Sequence, residues 1–325
     1  MGLFLFGCKD TTLHVAKFLK RRGLSIHLVT IAPALAARND VAGYVDLTLF
    51  PEIFSSIYSA ESYNLRAEKD VEFFGSGSEF GLGFCVGWQR LIPSHVLKKF
   101  PKGIHGMHGS ARDLPYGKGR SPMNWALIEG RKFFFTNLFR YLDGVDNGPI
   151  VDAAVFSIQD SDTAETMHFK NVLGMCDIIE RNLDALLRSE VKYREQEAGA
   201  ESFYPKREPA DGVIDWRDDI TNIERLVRAV APPFYGAVAF HGSDEFQIHR
   251  AAIFYTDLEN HPFVNAEYGE VVDIFPNGKF LVRCSGGVLI VHEFSKVELR
   301  IGDILTVQNS PFGRFSRNAY GFFDI

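Results

Sequence analysis

Apolar residues follow two rhythms along this chain. Gly2 to Phe6 is an almost unbroken apolar run that ends in Gly7. Thr11 to Arg22 then places Leu13, Val15, Ala16, Phe18 and Leu19 at helical spacing, with Gly23 suited to cap its end. Ser25 to Ile31 is the next strand-like run. Strand, helix and strand within about 30 residues form a βαβ unit, so the sheet is predicted to start parallel. Further strands are predicted at Phe80–Val86, Gly103–His108, Phe133–Phe139 and Ile150–Ile158, the last two joined by a loop over Asp143–Pro149. Short helices are predicted at Pro93–Phe100 and Trp125–Gly130. A long helix, capped by Ser161 or Asp162, runs to about Ser189 with Met167, Val172, Leu173, Cys176, Ile179, Leu183 and Leu186 close to one face.

The rhythm changes after the polar, proline-bearing stretch Pro205–Asp211, which reads as a linker. Ile220–Val230 is predicted as a helix. From Tyr235 short alternating strands dominate: Ala237–His241, Phe246–Ala251, Gly269–Phe275, Lys279–Arg283 and Val288–His292, separated by turns such as Pro276-Asn277-Gly278. The expected fold class is α/β. A Rossmann-like, mostly parallel sheet domain over 1–204 is followed by a C-terminal domain over 205–325, a helix plus a small β-barrel-like (OB-like) sheet. The length of 325 residues agrees with two domains.

Composition narrows the class. A charged fraction of 23% with 46% hydrophobic residues excludes a disordered chain. The four cysteines Cys8, Cys85, Cys176 and Cys284 lie far apart, which argues against a disulfide framework or a zinc site, and no metal is expected. Lys9 and Asp10 interrupt the first apolar run, and no stretch of about 18 apolar residues occurs, so neither a signal peptide nor a membrane span is expected. A soluble, cytoplasmic protein fits, and a homodimer is left open. A lone Gly7 lacks the glycines that let a dinucleotide pyrophosphate approach the backbone, which argues against NAD.

The chemistry concentrates between His105 and Ile150. His108 falls at the end of a buried strand, where open α/β sheets bind ligands. The loop Tyr116–Ser121 carries two glycines with Lys118 and Arg120, suited to an anionic substrate. Asp146 sits in a turn before Asn147-Gly148-Pro149, where a carboxylate beside a histidine can pass protons. Taken singly, each has a plain structural alternative: a core histidine, a solvated loop, a turn former. His105 falls one strand period short and is expected to face another way.

Together these residues resemble the 10-formyltetrahydrofolate-dependent formyltransferases. His108 falls on the family's histidine of Asn-x-His, Ser110 on its loop serine and Leu114-Pro115 on its Leu-Pro. Gly119-Arg120-Ser121-Pro122, Asn124-Trp125-Ala126 and Asp146-Asn147-Gly148 follow in family order. Gly87-Trp88-Gln89-Arg90-Leu91-Ile92-Pro93 is similar to the segment lining the pterin pocket, and Arg207 to Trp216 with Leu226 to Val230 match the C-terminal part. The resemblance implies His108 and Asp146 as the catalytic pair, with the pterin held near Trp88, Gln89, Arg90, Leu91 and Ile92 and near Asp143, Gly144 and Val145. Lys118 and Arg120 are the candidates for substrate contact.

Two departures stand out. Gly106 occupies the family's Asn position, and about two extra residues lie within Ala111–Asp113. Loss of one oxyanion donor costs on the order of 10²–10³ in rate, unless Ser110, a backbone N–H or Asn124 substitutes. For the acceptor, charge is informative. Residues 206–325 hold 12 Lys and Arg against 17 Asp and Glu, a balance of −5 within a whole-chain −6. A tRNA-binding module needs a basic face. The C-terminal motif and Gly119 to Trp125 resemble the sugar-nucleotide formyltransferases more closely, and of the acceptors the resemblance implies a nucleotide-linked amino sugar is the one expected. Methionyl-tRNA, a binding protein with little turnover and a hydrolase of the formyl folate are carried as alternatives.

Overall fold

The computed structural model describes residues 2–76, 79–199, 201–256 and 263–307. The chain divides into two compact units. In chain order the elements up to the middle of the sequence are β1 (Leu3–Phe6), α1 (Asp10–Arg21), β2 (Ile26–Ile31), α2 (Pro33–Arg38), β3 (Ser56–Ala60), α3 (Glu68–Gly75), β4 (Leu82–Cys85), α4 (Ser94–Leu97), β5 (Ile104–Ser110) and the two-residue β6 (Lys118–Gly119). Then come α5 (Pro122–Ile128), β7 (Phe133–Arg140), β8 (Ile150–Ser157) and the long α6 (Ala164–Arg188).

The first unit holds Met1–Lys118, Phe135–Phe156 and Lys170–Glu201. Its seven-stranded sheet runs β3-β2-β1-β4-β5-β7-β8. β1 pairs in parallel with β2 and β4, β2 with β3, and β4 with β5, whereas β7 is antiparallel to β5. The sheet is covered on both faces, which explains the unbroken apolar runs. Leu3, Leu5, Leu82 and Phe84 join one cluster with Val15, Ala16 and Leu19 of α1 and Ile178, Ile179 and Leu183 of α6. Phe4, Phe6 and Cys85 join the opposite cluster with Phe74, Trp88, Val96 and Phe100. All four cysteines are free and buried. Sequence patterning had no element over 32–79. β3 there is an edge strand in which only Ala60 is buried, so it carries no alternation to detect.

The second unit holds Gly119–Phe134, Ser157–Phe169 and Ser202–Ile325. After the short β9 (Phe203–Tyr204) come α7 (Ile220–Val230), β10 (Ala237–His241), β11 (Asp244–Tyr255), β12 (Val271–Ile274), β13 (Phe280–Cys284), β14 (Gly287–Phe294) and β15 (Leu305–Thr306). Six strands form a sheet of order β12-β13-β14-β11-β10-β15, with antiparallel ladders between β12 and β13, β13 and β14, β14 and β11, β11 and β10, and β10 and β15. Register shifts along β11 bend it, so the sheet is a half-barrel. Trp216, Phe246, Ile248, Phe280, Val282 and Leu289 are buried within this unit. α7 packs on β11, and α5 packs on α7. The Asn124 Nδ2 donates to the Ala229 carbonyl (2.6 Å) and the Trp125 indole N–H to the Pro205 carbonyl (3.0 Å). These ties draw 119–134 into the second unit, ahead of the anticipated division at 204/205. No helix among the described residues is long and apolar enough to cross a membrane.

Candidate active site

β5 sorts its side chains by alternation. His105 turns to one face and is fully buried, its Nε2 3.0 Å from the Tyr193 hydroxyl. Burial, reinforced by the Arg140 charge, pushes its pKa down to about 3. Gly106, His108 and Ser110 take the other face. His108 is buried, with Nδ1 3.4 Å from Asp146 Oδ2 and Nε2 2.8 Å from the Gly117 carbonyl. The structure thus brings together the two residues predicted as a pair.

The turn that presents Asp146 is tightly specified. Asp146 adopts φ 47°, a left-handed conformation in which Asp is among the better tolerated residues. Gln196 Nε2 donates to the carbonyls of both Asp146 and Gly148, each at 2.7 Å. A Cβ at Gly148 would lie 1.6 Å from the Arg140 carbonyl oxygen, so only glycine lets the turn close on β7. Gln196 carries no sequence signal, because it acts from 50 residues away through tertiary contact.

The remaining candidates divide. Ser110 Oγ donates to the Tyr116 carbonyl at 2.6 Å, and the amide nitrogen of Asn124 donates to Ala229 in the second unit. Both side chains serve as structural ties. Lys118 is not a solvated loop cation: it is buried and pairs with Glu201 at 2.8 Å. Arg120 is exposed in the second unit, where its backbone N–H donates to the Tyr204 carbonyl.

The two segments expected to line a pterin pocket both lie in the first unit, and Asp143 of the second is met by Ser94, just beyond the first. Ser94 Oγ donates to Asp143 Oδ1 at 2.6 Å. A cavity of about 240 Å³ there is lined by Ser94, Leu97, Ile104, Tyr141, Leu142 and Asp143, among others. Trp88 and Ile92 are buried, and the Trp88 indole nitrogen has no hydrogen-bond partner. Leu91 and Val145 are exposed apolar residues. The Gln89 backbone N–H donates to the Tyr63 hydroxyl, and Arg90 stacks over the Tyr63 ring. Gly144 adopts φ 114° in the exposed turn.

The profile of the formyl transferase domain matches residues 8–172, and that of the formyl transferase C-terminal domain matches 206–309. The chain belongs to the formyl transferase family. Solved structures share its fold at low identity. The sugar 3N-formyl transferase WlaRD, solved with dTDP and 5-N-formyl-THF, aligns with TM-score 0.66 and 15% identity over 92% of this chain and 99% of its own. The N-formyltransferase from Helicobacter canadensis, in complex with folinic acid and dTDP-3-aminofucose, gives 0.65 and 13% over 90% and 99%. HypX from Aquifex aeolicus gives 0.62 and 16% over 92% of this chain but only 45% of HypX, so the chain spans less than half of that protein.

Proposed function

We propose that this formyltransferase moves the formyl group of 10-formyltetrahydrofolate to the primary amine of a nucleotide-linked amino sugar. The observation that carries the chemistry is the His108–Asp146 pair, 3.4 Å apart in the first unit. His108 would donate to the formyl oxygen as charge builds there, and Asp146 would accept the proton that the attacking amine loses. For this, Nε2 must exchange the Gly117 carbonyl for substrate. A formyl folate fits the nearby features. The cavity beside Tyr141 and Asp143 offers room, Leu91 and Val145 offer apolar surface to a bicyclic ring, and the unpartnered Trp88 indole nitrogen is a spare donor.

Charge favours a small acceptor. A cleft of about 450 Å³ in the second unit is lined by Arg131, Lys132, Arg225 and Arg228, but also by Asp160 and Glu224. Arg131 is paired with Glu129 at 2.8 Å and Arg228 with Glu224 at 2.6 Å. Cations neutralised in this way release few counterions on phosphate, so they support little tRNA affinity. The two sugar-formyltransferase structures, solved with dTDP or a dTDP-amino sugar and a formyl folate, agree with this reading.

The test is a panel of nucleotide-linked amino sugars incubated with 10-formyltetrahydrofolate and followed by mass spectrometry. The expected result is the gain of one formyl group on at least one sugar. Formylation of methionyl-tRNA alone overturns the acceptor. Folate consumption without any acceptor identifies a hydrolase, and folate binding without turnover identifies a binding protein.

A further inference from the structure

We propose that the Tyr141 hydroxyl is a second hydrogen-bond donor to the formyl oxygen, acting beside His108 during transfer. This assignment rests on the formyl-transfer reading above and adds a residue to it.

The observation is the space over Gly106. A Cβ built there would lie 1.7 Å from Cε1, 2.2 Å from Cζ and 2.5 Å from the hydroxyl oxygen of Tyr141. The phenol therefore lies directly on the backbone of β5, and only glycine at 106 permits it. Tyr141 is anchored there by its own N–H, which donates to the Ile104 carbonyl at 2.8 Å. Its ring also lines the 240 Å³ cavity with Ile104, Ser94 and Asp143.

Position 106 precedes His108 by two residues, so both belong to one face of the strand, about 7 Å apart along it. Donors rising from neighbouring positions of one strand face can be aimed at a single oxygen. The hydroxyl is chemically suited. Burial, with the Cys85 and Asp146 groups nearby, raises its pKa well above the usual tyrosine value, so it stays protonated and donates. Its hydrogen-bond partner is the Cys85 thiol, on the β4 residue that pairs with Gly106. A thiol is a weak acceptor, which a carbonyl oxygen can replace. Ser110 and Asn124, the side chains anticipated for this task, are engaged elsewhere.

In the step itself the amine lone pair forms the new C–N bond, and the carbonyl π pair moves onto oxygen. Tyr141 and His108 hydrogen bond that oxyanion without losing their protons. Collapse restores the C=O bond and breaks the bond to N10 of the folate. N10 takes up the proton that the amine released through Asp146. The products are the formamide and tetrahydrofolate.

Tyr141→Phe keeps the ring and removes only the donor. We expect kcat to fall on the order of 10²–10³-fold, with KM for the folate changed only a few-fold. A second readout needs no turnover: the ¹³C shift of a labelled formyl carbon in the stable analogue 10-formyl-5,8-dideazafolate. Wild-type protein should move this resonance downfield, and Tyr141→Phe should lose most of the shift while still binding. Equal shifts and equal kcat in the two proteins overturn the donor role but leave formyl transfer standing. If wild-type protein does not bind the analogue, the formyl-folate reading fails and this assignment with it. As a further check, Tyr141→Ala opens the space over position 106. Adding Gly106→Asn to it supplies an amide donor and should restore at least tenfold of the lost kcat; no gain from a folded double variant counts against the role.

Discussion

His108 is buried and Asp146 only half-buried, and the two are held in place by different means. His108 is fixed by strand alternation, whereas Asp146 depends on a strained turn. Asp146→Asn preserves the backbone, because Asn tolerates φ 47° as readily as Asp. Its effect therefore reports charge alone, and we expect the transfer rate to fall about 10²–10⁴-fold with an unchanged circular dichroism spectrum. His108→Ala should lose at least as much; wild-type turnover in either variant removes that residue from the mechanism. His105 makes a separate prediction about stability. Its folded pKa is about 3, against about 6.5 in the unfolded chain. Between these values the unfolded state binds more protons, so stability is present above pH 6.5 and declines as the pH falls toward 3. Urea unfolding at pH 7 and pH 5 should show wild type losing about 2 kcal/mol more than His105→Gln over that interval. Equal losses would show that His105 protonates in the native state.

At the scale of elements, the closeness of the Asp146 turn to β7 is the tightest constraint. Gly148→Ala puts a methyl group against the Arg140 carbonyl, a backbone atom with no freedom to rotate away. We expect a destabilisation of about 1–3 kcal/mol and a fall in kcat larger than the change in KM, since the carboxylate moves with its turn. Thermal unfolding and steady-state kinetics check both. Asn124 offers the contrast. Its amide nitrogen meets a carbonyl in the last turn of α7, where helix carbonyls lack partners. Asn124→Ala should cost about 1–3 kcal/mol of stability without the collapse in kcat expected at His108. A loss of kcat on that scale at unchanged stability would return Asn124 to the reacting centre.

For the whole molecule, charge is the property that discriminates acceptors. The stretch 206–325 carries −5, and two arginines of the second-unit cleft, Arg131 and Arg228, are paired with carboxylates. Binding of methionyl-tRNA should accordingly be weak between 50 and 200 mM salt. A plot of log affinity against log salt concentration with a slope of several units would reveal a basic surface that these pairings do not show.

The alternation of polar and apolar residues was enough to specify a mostly parallel sheet followed by a short-stranded one, because burial on both faces imposes unbroken runs and burial on one face imposes a period of two. α7 and β10 fall where their periodicity places them, at Ile220–Val230 and Ala237–His241. The order of residue types around His108 and Asp146 likewise singled out two side chains that the fold brings within 3.4 Å. Chain order could not show what fills the space beside them. Gly106 reads as a missing donor until Tyr141, 35 positions later, is found lying on it. Lys118 reads as a loop cation until Glu201 is found beside it, and Gln196 has no reading at all until its amide meets two carbonyls of the Asp146 turn. Local periodicity depends on neighbours a few residues apart, whereas the occupancy of a cavity depends on side chains that only the folded backbone brings within contact distance.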